Sequence, residues 1–233
     1  PTHPELLDWL SVEFVEHGWS MKHLHRLIAL SATYRQSSRI SPEAWTRDDQ
    51  NRLLARGPRF RLDAEAIRDN ALAVGGLLSP KLGGPPVRPF QPAGLWDNKV
   101  GGDKVTYDLS TGEDAYRRGL YTVWKRGSPY PSFINFDATA RTACTVRRSR
   151  SNTPLQALTL LNDPVYVEAA RALAARVVRE GPDSAVSSRL AYAFQLSLAR
   201  PPSAVELAAL TRLHAQQSAA HVTPDTAWQA VAA

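Results

Sequence analysis

Apolar residues recur at helical spacing along most of the chain, and polar caps mark where the runs begin. In Thr2-His3-Pro4-Glu5, a polar start followed by proline and an acid predicts a first helix. Its Leu6, Leu7, Leu10 and Phe14 share one face, and Gly18 ends it. Ser20 starts a second helix, with Leu24, Leu27, Ile28 and Ser31 along one stripe. Ser41-Pro42-Glu43 opens a short third, and Asp63-Ala64-Glu65 opens a fourth that runs through Ile67 and Leu72 to Gly75-Gly76. Helices resume at Thr153, restart at Asp163-Pro164 and reach Gly181-Pro182. Residues 183–199 carry Leu190, Phe194 and Leu198. Pro201-Pro202 breaks that run, and Ser203-Ala204-Val205-Glu206 forms a capping box for a helix bearing Leu207, Leu210 and Leu213. These last two predict a helical hairpin.

Between residues 79 and 113 neither period holds. Proline and glycine dominate, as in Lys81-Leu82-Gly83-Gly84-Pro85-Pro86 and Pro89-Phe90-Gln91-Pro92. A loop this long is usually functional or disordered, but Phe90, Trp96 and Tyr107 argue for an ordered segment lying across the helices. Residues 116–126, rich in aromatic and β-branched side chains, read as the one strand; Pro129 and Pro131 then bar regular structure. The fold class is therefore mainly α: a helical core, a long irregular Pro/Gly-rich segment and at most a small β element. The expected organisation is a single helix-rich domain over 1–233, with N-terminal helices over 1–78, the irregular segment over 79–152 and C-terminal helices over 153–233. The chain opens on Pro1 rather than Met and stops soon after Trp228 within a helical pattern, so both ends are expected to be cut.

Composition adds limits. At 233 residues and 43% hydrophobic, the chain can bury a sizeable core. No run approaches the roughly 18 apolar residues of a membrane span, and no signal peptide is visible. The single cysteine, Cys144, excludes an internal disulfide framework, thiolate zinc clusters and haem attachment within this chain. A net charge of +6 invites a nucleic-acid reading. Five of the 28 basic residues are Lys (Lys22, Lys81, Lys99, Lys104 and Lys125) and the rest Arg, a balance that a GC-rich genome produces unaided. The basic residues are also dispersed, apart from one cluster, so nucleic-acid binding is disfavoured.

That cluster lies in residues 145–158. Thr153 suits an N-cap, Pro154 the first helical position and Gln156 the third, where its amide can reach back to the cap. Arg147, Arg148, Arg150 and Asn152 thus stand before a helix N-terminus, whose free N–H groups and dipole favour an anion. Arginine adds a fork matching carboxylate, phosphate or sulfate. The competing reading ties these arginines to internal carboxylates, with Asp137 and Asp163 nearest in sequence, and gives the segment a structural duty first.

Other candidates carry less. His17, His23 and His25 cluster, but positions 23 and 25 of a helix point about 200° apart and cannot share an ion, so no metal site is assigned. Asp97, Asp103, Asp108, Glu113 and Asp114 lie in or beside the irregular segment, yet no spacing selects an acid–base pair. No G-x-S-x-G occurs, Cys144 has no local partner, and Gly83-Gly84-Pro85-Pro86 is not a phosphate loop. Trp96, Tyr121, Trp124 and Tyr130 could stack on sugar rings, although buried core is the more usual fate.

Several stretches carry a family likeness. They are Pro1-Thr2-His3-Pro4-Glu5-Leu6-Leu7-Asp8-Trp9-Leu10, Trp19-Ser20-Met21-Lys22-His23-Leu24-His25-Arg26-Leu27-Ile28 and Ser31-Ala32-Thr33-Tyr34-Arg35-Gln36-Ser37-Ser38. Asn51-Arg52-Leu53-Leu54-Ala55-Arg56 joins them, and above all Asn152-Thr153-Pro154-Leu155-Gln156-Ala157-Leu158 followed by Leu161-Asn162-Asp163-Pro164. Together they resemble domain-of-unknown-function family 1553, found mainly in planctomycetes. The resemblance implies the C-terminal domain of a large extracytoplasmic (periplasmic or secreted) protein, in which a signal peptide and often a c-type cytochrome domain come first. It brings no established activity and no catalytic residue. The chain departs from the family pattern at Thr139 and Thr142, where a Pro and a Glu are common, and at Asp97-Asn98, where an acidic pair often follows Leu-Trp. The expected function is an accessory or binding domain with an anion-binding arginine loop. Its expected partners are other domains of the same polypeptide and an anionic glycan or protein. The alternative is part of an enzyme acting on polysaccharides or their derivatives, with its site shared with another domain. No cofactor is expected in this chain; a c-type haem would sit in an N-terminal domain.

Overall fold

Proline occupies the first helical position repeatedly in this chain, where its missing N–H is not needed and its fixed φ suits the helix. Pro4, Pro42, Pro131, Pro154 and Pro164 each start a helix in this way. The computed structural model describes residues 1–97, 106–220 and 224–233. Among these the α-helices are α1 (Pro4–Glu16), α2 (Met21–Leu30), α3 (Pro42–Arg47), α4 (Ala64–Gly75), α5 (Pro131–Asn135), α6 (Pro154–Asn162), α7 (Pro164–Glu180), α8 (Val186–Leu198), α9 (Ala204–Ala220) and α10 (Pro224–Ala232). The chain is mainly α. It divides into two units, Pro1–Arg61 and Leu62–Ala233. No helix of the described residues is long and apolar enough to cross a membrane.

The first unit holds α1, α2 and α3. Gly18 and Trp19 both take left-handed backbone (φ 65° and 60°), which ends α1 and turns the chain into α2. The Ser20 hydroxyl then accepts from the His23 N–H and caps α2. Among the described side chains of this unit none is buried; Leu6, Leu7, Trp9 and Trp19 are all exposed. The helical face expected to be covered is therefore open within this unit.

The second unit is built on α4 against α7. Gly75 lets them approach closely: a Cβ there would stand 2.8 Å from the Ala169 carbonyl oxygen. Arg176 of α7 reaches back and donates to the Val74 carbonyl at 2.9 Å, satisfying an end of α4 that has no helical partner. Leu72, Val165 and Ala169 form the seam between the two helices. Ala64, Tyr130, Phe133, Phe136 and Tyr166 make a second cluster. Leu173, Ala174, Val177, Leu190 and Trp228 make a third, beneath the hairpin of α8 and α9. Glu206 and Ser203 exchange the hydrogen bonds of the anticipated capping box.

Three expectations are corrected. Residues 116–126 do not form a strand; they hold the last residue of the 3-10 turn Gly112–Tyr116 and the whole of Gly119–Tyr121, and make only the isolated parallel bridges Ser79↔Arg117 and Val87↔Thr122. The facing segment contains Pro85, Pro86, Pro89 and Pro92, which have no N–H to extend a ladder. Pro131 does not bar a helix but starts α5. The helix read from residue 183 begins at Val186, because the Asp183 carboxylate accepts from the Ala185 N–H at 2.7 Å and holds a turn there.

Candidate functional site: an arginine loop beside two helix starts

The capped start of α6 forms as its sequence requires. The Thr153 hydroxyl accepts from the Gln156 N–H, and the Gln156 side-chain oxygen accepts from the Thr153 N–H. Gln156 is buried, and its amide also donates to the Asn135 carbonyl at 2.9 Å and to the Ser151 hydroxyl at 3.0 Å. One side chain thus ties the loop to both α5 and α6. Ser151 in turn donates its N–H and its hydroxyl to the Asp137 carboxylate, at 2.7 and 2.8 Å.

The four candidate residues have different fates. Arg148 is half-buried and donates Nη1 to Glu65 Oε2 at 2.6 Å and Nη2 to Glu65 Oε1 at 3.1 Å, a bidentate pair with the first turn of α4. Arg150 lies 4.0 Å from the Asp63 carboxylate just before that turn. Arg147 and Asn152 are exposed. Glu65 takes the place that sequence proximity suggested for Asp163. That carboxylate instead accepts from the Val165 N–H and caps α7, while burial raises its pKa. Burial also works against the charge of Glu65, but the hydrogen bond from Arg148 and the nearby Arg141 outweigh it and hold its pKa below the usual range.

Beside these residues lies an open recess of about 470 Å³, lined by Thr139, Arg141, Thr142, Ala143, Cys144, Thr145 and Arg148. The Arg141 guanidinium stacks over the Trp124 ring, 4.4 Å from its centroid. Arg141, Arg148 and Arg150 therefore gather around the carboxylates Asp63 and Glu65.

Two other arginines escaped the sequence reading. Arg68 and Arg117 are fully buried, at 1% and 0% exposure. Arg68 donates to the carbonyls of Arg117 and Ala115 at 2.7 and 2.8 Å. Arg117 donates to the carbonyls of Lys81, Gly83 and Pro85 and stacks 3.8 Å from the Tyr121 ring centroid. They lace the irregular segment to α4 through backbone oxygens. A signal for Arg68 existed: it shares the i, i+4, i+8 stripe of Ala64 and Leu72.

The remaining candidates are tied locally. Glu113 accepts from the Ser79 hydroxyl, Asp114 lies 3.4 Å from Lys81 Nζ, and Asp108 accepts from the Thr106 hydroxyl. Asp97 is exposed, and Asp103 lies outside the described residues. Trp96 and Tyr130 are buried. The Trp96 indole donates to the Ser128 carbonyl and meets Tyr107 edge-on at 4.7 Å. Tyr121 and Trp124 are half-buried beneath arginine planes. Among the histidines, His17 and His23 stack on each other, and His25 is exposed.

A mainly α domain with an arginine-rich loop at a capped helix start is thus what the residues define. Residues 1–214 match the sequence profile of the family described as "Protein of unknown function (DUF1553)", and the chain belongs to that family. No curated protein and no solved structure matches it.

Proposed function

We propose that this chain is an accessory binding domain of a larger, extracytoplasmic, cytochrome-linked protein, and that its arginine loop takes an anionic group. The group would be a carboxylate or sulfate of a charged glycan, or acidic side chains of a partner. One observation carries this reading. Arg147 and Asn152 are exposed on the loop whose Arg148, with Arg141, borders an open recess that no carboxylate lines among the described residues. Arg148 and Arg150 would position the loop through Glu65 and Asp63, leaving Arg147, Asn152 and Arg141 for the ligand. Thr139, Thr142 and Thr145 add hydroxyl donors on the recess wall. The binding reading is preferred to the polysaccharide enzyme because no carboxylate lines the recess among the described residues, and Glu113, Asp114 and Asp108 are each already engaged.

The test is titration calorimetry of the full chain with a sulfated and a carboxylated oligosaccharide at several salt concentrations. Binding should weaken as salt rises. Arg147→Ala and Arg141→Ala should each lose roughly tenfold in affinity, the scale of one charge-assisted hydrogen bond. Equal binding by wild type and variants would refute the assignment.

A further inference from the structure

Within the first unit, three side chains with metal-ligand chemistry converge on one point. Glu13 lies in the last turns of α1, His17 follows one turn later at its C-cap, and His23 lies in the first turn of α2. His23 Nε2 stands 2.9 Å and His17 Nδ1 3.2 Å from the same Glu13 Oε1. The two imidazoles stack with centroids 4.0 Å apart and planes 6° from parallel. All three donor atoms lie within 4.8 Å of one another.

We infer that Glu13, His17 and His23 form a zinc(II) site that clips α1 to α2. Tetrahedral zinc with bonds of about 2.0–2.2 Å sets its donors roughly 3.3 Å apart, close to the spacings from Glu13 to each imidazole. Because the rings lie parallel, each would have to tilt well out of the stack to bring its in-plane nitrogen lone pair onto the ion. Each imidazole would bind as the neutral form with its remaining proton on the other ring nitrogen, so His17 Nδ1 would give up the hydrogen bond it donates to the Glu13 backbone carbonyl at 2.9 Å. Two imidazoles and a carboxylate suit zinc among the divalent ions, and three protein ligands leave a fourth position for water.

Two independent features favour a cation here. His17 lies at the C-cap of α1, where the negative end of the helix dipole favours a cation, and the last turn carries no basic residue. The unit also lacks a buried side chain of its own among those described, and a small unit with so little core gains most from a metal staple. The left-handed pair Gly18 and Trp19 is what brings residue 23 back over residues 13 and 17.

Titration calorimetry of zinc chloride into the full chain, with cobalt(II) absorption as a second readout, tests the site. One ion per chain is expected. His17→Ala, His23→Ala and the isosteric Glu13→Gln should each weaken binding by roughly tenfold or more, the scale seen when a metal's surroundings lose a partner. His25→Ala, whose side chain is exposed and outside the cluster, should bind as wild type. Helical circular dichroism checks that each variant stays folded. Absence of zinc binding by wild type overturns the inference, as does undiminished binding by the His17 and His23 variants.

Discussion

Arg148 holds Glu65 with both guanidinium nitrogens across 83 residues of sequence, at 2.6 and 3.1 Å. The contact joins the arginine loop to the first turn of α4, where the carboxylate also favours the helix dipole. A loop already tied to Asn135 and Asp137 is thereby also anchored to the helix that organises the second unit.

Arg148→Ala should therefore destabilise the protein by about 1–3 kcal/mol, the cost of stranding a half-buried charged partner. The pH dependence has a definite sign. Glu65 is held below its ordinary pKa of 4.5, so its contribution is present above that value and disappears as pH falls through the lower, folded-state value. Urea denaturation of wild type and Glu65→Gln should differ at pH 7 and converge in strong acid. A gap that persists unchanged in acid would contradict the pairing.

Arg117→Met removes every donor that Arg117 offers to the Lys81, Gly83 and Pro85 carbonyls. A loss of about 2–4 kcal/mol is expected for such a buried network. Limited proteolysis should then open new cleavage sites within residues 80–92. A variant as protease-resistant as wild type would show that the segment does not depend on this side chain.

Gly75→Ala would force a methyl group to 2.8 Å from the Ala169 carbonyl oxygen, and backbone cannot swing aside as a long side chain can. Separation of α4 from α7 should cost about 1–3 kcal/mol. Gly127→Ala, where nothing lies within 4 Å, is the control and should stay within about 0.5 kcal/mol of wild type. Thermal melts of the two variants decide the point.

Buried phenols set the alkaline limit. Burial pushes Tyr107 and Tyr166 up to about 12, and it raises Tyr130 further. Their contribution is complete below the ordinary phenol value of about 10 and is lost as pH rises beyond it towards 12. Absorbance at the phenolate band should show these three ionising only together with loss of helical signal. Independent ionisation of all seven tyrosines near the ordinary value would refute their burial.

Where structure follows from local chemistry, the sequence was a sufficient guide. The starts of α2, α3, α6, α7 and α9 all rest on a Ser, Thr or Asp cap that can be read residue by residue. The strand over 116–126 failed because β-propensity says nothing about the partner, and the partner is proline-rich. The site divided in the same way. The Thr153–Gln156 box is local and was visible, whereas the partner of Arg148 lies on a distant helix and proximity pointed elsewhere. The contact between His23 and His17 was out of reach for a related reason. Helical geometry separates it from His25, but only the reversal at Gly18 and Trp19 brings it to His17.

The long reach of the arginine contacts has a kinetic consequence. The bonds from Arg68 to Arg117 and from Arg117 to Gly83 close 49 and 34 residues of chain, while the hairpin of α8 and α9 joins adjacent helices. Closing such loops carries an entropy cost before any bond is gained, and we predict that these side-chain contacts form on the native side of the folding barrier. Replacing Arg117 should accordingly hasten unfolding while leaving the refolding rate nearly unchanged. The irregular segment would then loosen ahead of the helix it is laced to.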